Sequence, residues 1–112
     1  VATIHLAKLL MKLRDEDTTN NNTVKHYVTD INQDAIHTTL KTALANHIPS
    51  NSIEAIKCDL ASSLLPTLTD KTDVILFNPP YVPTPNDEIG GMGIEASWAG
   101  GEDGRVVIDR AL

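Results

Sequence analysis

The chain has 112 residues, with 9 basic against 15 acidic side chains and a formal charge of −6. Its length suits one domain with a modest core, and at 41% hydrophobic but only 4% aromatic content that core must be aliphatic. The acidic balance argues against tight, sequence-independent clamping of nucleic acid, no apolar run is long enough to span a membrane, and the lone cysteine, Cys58, excludes an internal disulfide.

Residues 2–14 place Ile4, Leu6, Ala7, Leu9, Leu10, Met11 and Leu13 close to a helical period. His5, Lys8, Lys12 and Arg14 interrupt that run, so it does not read as a signal peptide. Both ends of the chain, at Val1 and Leu112, fall in helical patterns rather than in polar segments, which points to a piece of a longer protein. Residues 15–23 (DEDTTNNNT) are polar and lack an apolar anchor, as in a mobile surface loop. Asn21-Asn22-Thr23 matches a glycosylation acceptor, but no secretory signal accompanies it. A short strand over 25–29 ends at Asp30. A helix over 33–47 follows, with Ala35, Ile36, Leu40, Ala43, Leu44 and Ile48 on its buried side and Pro49 as its stop. A second strand over 53–58 ends on Asp59, and Leu64, Leu65 and Leu68 form a helical turn around Pro66. Residues 73–77 (DVILF) are the most apolar run, without alternation, as suits a strand buried on both faces of a parallel sheet. After a long irregular loop, a helix begins near Val106 with Asp103 as its expected cap.

Strands alternating with helices predict an α/β doubly wound, mostly parallel sheet with flanking helices, in one domain over 1–112. Each expected strand ends in a polar residue, Asp30, Asp59 and Asn78, and ligands of open α/β sheets bind beyond the carboxyl ends of the strands. Asp30 suits a ribose diol, or the cap of the following helix, for which Asn32 is an equal candidate. Asp59 suits an exocyclic amine of a purine, or the cap of the turn at 61–63. Cys58 reads as a small buried hydrophobe. His5, His26, His37 and His47 share no ligand spacing, so no metal site is expected.

The most informative string is Asn78-Pro79-Pro80-Tyr81. Two prolines restrict the backbone and remove two N–H donors, so the loop presents acceptors: the Asn78 side-chain oxygen and a carbonyl of the Pro-Pro segment. Two acceptors side by side bind both hydrogens of a planar –NH₂ group, and the Tyr81 ring lies against that plane. Such a site selects an amide or aromatic amine and aims its nitrogen into the adjacent crevice. Residues 79–102 then read as a substrate-side loop, with Trp98 as its packing anchor.

Asn78-Pro79-Pro80-Tyr81 resembles the NPPY signature of amino-group methyltransferases dependent on S-adenosylmethionine, which adenine-N6 and glutamine-N5 enzymes share. The longer strings 77–85 (FNPPYVPTP) and 94–110 (IEASWAGGEDGRVVIDR) resemble the HemK-like glutamine methyltransferases of translation release factors, nearest their eukaryotic and archaeal branch. Residues 29–35 (TDINQDA) and 58–65 (CDLASSLL) agree, so the resemblance covers about residues 24–110. It implies a Rossmann-like class I methyltransferase fold. It further implies that S-adenosylmethionine is held by Asp30 at the ribose and Asp59 near the adenine, with Asn78 bordering the cofactor. The implied substrate is the glutamine of the Gly-Gly-Gln loop of a class-I release factor. Asn78 and Pro79 would bind its amide, and Pro80 and Tyr81 would complete that site, Tyr81 packing beside the amide. A small zinc-binding activator subunit, forming a heterodimer with the catalytic chain, is implied as well.

The family's glycine-rich cofactor loop and first strand, which would precede residues 2–14, are not in this sequence, nor are strands beyond Leu112. The expectation is therefore an incomplete catalytic domain that neither folds well nor turns over alone. Cytoplasmic location, with the nucleus as a second compartment, goes with the resemblance. Two other readings stand beside it: adenine-N6 transfer on nucleic acid, which the −6 charge disfavours, and a catalytically silent module that acts by binding a partner.

Overall fold

The computed structural model describes residues 2–16, 24–91 and 93–112. The chain divides into two compact units, Val1–Thr72 and Asp73–Leu112.

The first unit runs α1 (Ala2–Glu16), β1 (His26–Asp30), α2 (Gln33–Ala45), β2 (Ile53–Lys57) and α3 (Leu65–Leu68). Asp15 and Glu16 thus belong to α1 rather than to the expected loop, while 17–23, including the glycosylation-like Asn21-Asn22-Thr23, lies outside the described residues. β1 and β2 pair in parallel, from His26 opposite Ile53 to Asp30 opposite Lys57. Side chains alternate along a strand, so His26, Val28, Ile53 and Ala55 share one face. Onto that face fold Ile4 and Ala7 of α1, Ala43 of α2 and Ile48, with Met11 packed alongside. Burial of each isoleucine contributes about 1.5–3 kcal/mol.

The ends of α2 are set by local chemistry. Asn32 caps its start, its side-chain oxygen accepting from Asp34 N at 2.8 Å and Ala35 N at 3.4 Å. At the other end His47 N donates to Leu44 O and Ile48 N to Ala43 O, both at 3.0 Å, with His47 left-handed at φ 59°. This paired closure ends the helix at Ala45, ahead of Pro49, and turns the buried Ile48 back onto Ala43. Two leucines expected on the buried side are exposed, Leu40 at 40% and Leu44 at 75%. The buried line runs through Ile36 and Ala43, and Leu44 stands about 80–100° around the helix from both.

The second unit holds β3 (Val82–Pro83), β4 (Ala99–Gly101) and α4 (Val106–Ala111), with 3-10 turns at Asn86–Glu88, Ile94–Ser97 and Glu102–Gly104. β3 and β4 pair in parallel with an irregular register. The α/β class with parallel strands and flanking helices is as the sequence predicts. The expected third strand is not formed: residues 73–77 carry no regular structure, and Val74, Ile75, Leu76 and Phe77 are 65, 79, 54 and 47% exposed. A strand exists only as part of a ladder, and among the described residues no other strand pairs with this segment. Asp103 is not the cap of α4 either. It sits inside the preceding 3-10 turn with φ 57°, and Arg105 occupies the cap position without a side-chain cap bond. No helix among the described residues is long and apolar enough to cross a membrane.

Candidate functional site

The predicted site residues fall into two clusters, one in each unit. In the first unit, the parallel register carries Asp30 and Asp59 to the same edge. Asp30 is the last residue of β1, opposite Lys57. Cys58 N continues the ladder by donating to Asp30 O at 3.1 Å, so Asp59 follows directly beside the end of β1. Asp30 Oδ1 accepts from Asn32 N at 2.8 Å, which steadies the carboxylate in a tight local turn, while the capping of α2 is done by Asn32 itself. Asp30 is half-buried.

Asp59 is exposed, and its carbonyl accepts from Ser62 N at 3.1 Å. Between them the chain bends through Leu60, left-handed at φ 51°, whose carbonyl accepts from Cys58 Sγ at 3.4 Å. A non-glycine residue in this region is uncommon outside turns under constraint, and here it turns the chain away from the strand immediately after the carboxylate. Cys58 is half-buried.

The second cluster is Asn78-Pro79-Pro80-Tyr81. Asn78 and Tyr81 are exposed, the latter at 65%, and the two prolines are half-buried. The segment is tied down immediately after Tyr81. Val82 N donates to Trp98 O at 2.9 Å and Thr84 N to Gly101 O at 3.1 Å. Trp98, expected as the loop's packing anchor, is instead 40% exposed and meets this segment through its backbone carbonyl. Two further side chains, which composition and spacing did not single out, stitch the same turn: Thr84 Oγ1 accepts from Gly101 N at 3.3 Å and Asn86 Oδ1 from Glu102 N at 3.0 Å. The only local sign of them is a short polar side chain shortly after each proline of PTPN, the kind that bonds to backbone. On α4, the Asp109 carboxylate hydrogen-bonds Arg105 at 2.8 Å and raises its pKa further.

The arrangement in the second unit offers side-chain and backbone oxygens on a stiff segment with no N–H at two consecutive positions. That suits recognition of an –NH₂ group rather than of an anion.

No protein-family model matches the chain. Among curated proteins it is 52% identical over 82 residues to "Methyltransferase HEMK2" of Homo sapiens, which covers 73% of this chain and 37% of the human protein. The Mus musculus protein of the same name is 50% identical over 82 residues, with the same coverage. The "eRF1 methyltransferase catalytic subunit mtq2" of Schizosaccharomyces pombe is 33% identical over 96 residues, covering 82% of this chain and 42% of the yeast protein. The chain thus spans about two fifths of the length of the relatives it matches. At this degree of identity over most of its length, the chain belongs to the HemK-like methyltransferase family.

Proposed function

We propose that this chain carries part of the active site of a protein-glutamine N5-methyltransferase that uses S-adenosylmethionine and modifies the glutamine of the Gly-Gly-Gln loop of a class-I release factor. The observation that carries the proposal is the Asn78-Pro79-Pro80-Tyr81 loop in a chain whose yeast relative is named for methylation of eRF1.

In this reading Asn78 Oδ1 and the Pro79 carbonyl accept the two hydrogens of the glutamine amide. An amide nitrogen is a poor nucleophile because its lone pair is delocalised. Two fixed acceptors draw electron density onto it and hold it in one orientation. Pro79 and Pro80 keep the loop from relaxing and contribute no donor that would compete for the acceptors. The Tyr81 ring packs beside the amide plane. Asp30 fits a ribose diol: the Asn32 N–H at 2.8 Å steadies its Oδ1, and the carboxylate stays at the open carboxyl edge of the strands. Asp59, beside it, lies near the adenine. S-adenosylmethionine, when bound, supplies the electrophilic methyl group. The word "subunit" in the yeast relative's name supports a heterodimer, and a small zinc-binding activator is the proposed partner.

The test is transfer of labelled methyl from S-adenosylmethionine by the protein expressed from its full reading frame together with that partner. The acceptors are the release factor, the same factor with its Gly-Gly-Gln glutamine changed to alanine, and duplex DNA. Label confined to the intact factor is expected. Equal label on the alanine variant, or label on DNA, overturns the substrate assignment.

A further inference from the structure

The turn that follows the acceptor loop is packed more tightly than a turn requires. Gly100, Gly101 and Gly104 are all buried. A Cβ built on Gly104 runs into the carbonyl oxygen of Tyr81 and stands 3.0 Å from the Tyr81 carbonyl carbon. A Cβ on Gly100 would lie 2.7 Å from Gly104 O and 2.8 Å from Gly104 Cα. These are backbone atoms, which cannot swing aside as a flexible side chain does. Gly104 also has φ 67°, so its lack of a side chain serves both the left-handed turn and the close approach.

The consequence reaches the acceptors through the chain itself. Tyr81 immediately follows the two prolines, whose rings fix their own φ and confine the residue before each, Asn78 and Pro79, to extended geometry. A displacement at the Tyr81 carbonyl that Pro80 ψ and Tyr81 φ do not absorb is passed along a stiff segment toward Pro79 and Asn78. We propose that Gly104 is a positioning residue for the Asn78–Tyr81 loop: its bare Cα is the seat on which the Tyr81 carbonyl rests, and Gly100 supports that seat from behind. The Thr84–Gly101 and Asn86–Glu102 bonds hold the turn closed around it. The catalytic consequence rests on the glutamine reading above, whereas the seating does not.

The experiment uses the protein from its full reading frame with its partner, labelled with ¹³C at the tyrosine carbonyl. The Tyr81 signal is identified by its absence from Tyr81→Phe. Gly104→Ala is expected to move the Tyr81 carbonyl resonance and leave that of Tyr27 in place. Its kcat for the release factor should fall by about 10- to 100-fold, as for a reacting group misplaced by about 1 Å, while the Kd for S-adenosylmethionine stays within about twofold. Should Gly104→Ala fail to fold, Asn86→Ala, which removes one closing bond and introduces no overlap, is expected to move the same resonance and lower kcat in the same direction. An unmoved Tyr81 resonance in the folded variant overturns the proposal, and so does a moved resonance with unchanged kcat. If the wild-type protein transfers no methyl to glutamine, the substrate reading fails, and the carbonyl resonance alone then decides the seating.

Discussion

Asn78 and Pro79 offer one acceptor each, and the two differ in how a substitution acts on them. The Pro79 carbonyl is backbone and survives any side-chain change, whereas the Asn78 oxygen is lost outright in Asn78→Ala. In the proposed reading the substrate amide then keeps one of its two hydrogen bonds and loses its fixed orientation. Methyl transfer is expected to fall by about 100-fold or more, the scale on which loss of one positioned group at a reacting centre is felt. Cofactor affinity should be nearly unchanged, and wild-type turnover in that variant would remove Asn78 from the reaction. Asp30 needs a subtler substitution, because its Oδ1 also accepts from Asn32 N. Asp30→Asn keeps an oxygen for that turn and removes the charge. Cofactor binding is expected to weaken by about tenfold, as when a charge-assisted hydrogen bond becomes a neutral one. Titration calorimetry that returns an unaltered Kd would assign Asp30 to the turn alone.

Among the elements, α2 shows how far local chemistry sets a boundary. Its start follows from Asn32, whose short side chain reaches two of the backbone N–H groups that a helix leaves unpaired. Its end rests on His47, which adopts a left-handed conformation in which glycine is the usual occupant. That conformation costs a non-glycine residue roughly 1–2 kcal/mol, part of which glycine would return as extra freedom in the unfolded chain. His47→Gly is therefore expected to stabilise the first unit by about 0.5–1 kcal/mol, read as a higher urea midpoint with an unchanged slope. A lower midpoint would mean that the imidazole makes a contribution the turn geometry does not account for. The segment 73–77 shows the opposite case. Its apolar run is the strongest strand signal in the sequence, yet it forms no ladder, because strand formation is decided by a second backbone and not by the run itself.

At the scale of the whole molecule, a buried histidine should make stability depend on pH. His26 begins β1 at 9% exposure, facing the cluster of Ile4, Ala7, Ala43, Ile48 and Ile53. Burial penalises its charged form and lowers its pKa below the ordinary 6.5. Protons then bind more readily to the unfolded chain than to the folded one. The contribution of His26 is thus fully present above about pH 6.5, is lost as pH falls from there through the lowered folded value, and levels off below it. His26→Gln removes the titration, so the difference between the two proteins' stabilities should shrink in that window and stay flat above it. A difference that is independent of pH across the window would show that His26 binds its proton equally well in the folded and unfolded chains, so that burial does not lower its pKa.

What the sequence determined by itself is what short-range chemistry governs. The period of Ile4, Ala7 and Met11 marks α1, Asn32 marks the start of α2, and an acid closes β1, while Asp59 follows two residues after the end of β2. The stiffness of Asn78-Pro79-Pro80-Tyr81 is legible for the same reason, since proline restricts its own torsion and that of the residue before it wherever it stands. Tertiary structure decided the rest. Leu44 is the more apolar of two neighbours in the chain, but it is Ala43 that falls on the line that meets Ile4 and Ile53. Asn86 finds its donor at Glu102, and the Tyr81 carbonyl finds its seat at Gly104, across stretches of irregular loop that carry no periodicity. Such contacts depend on where the backbone returns in space, and local composition holds no record of that path.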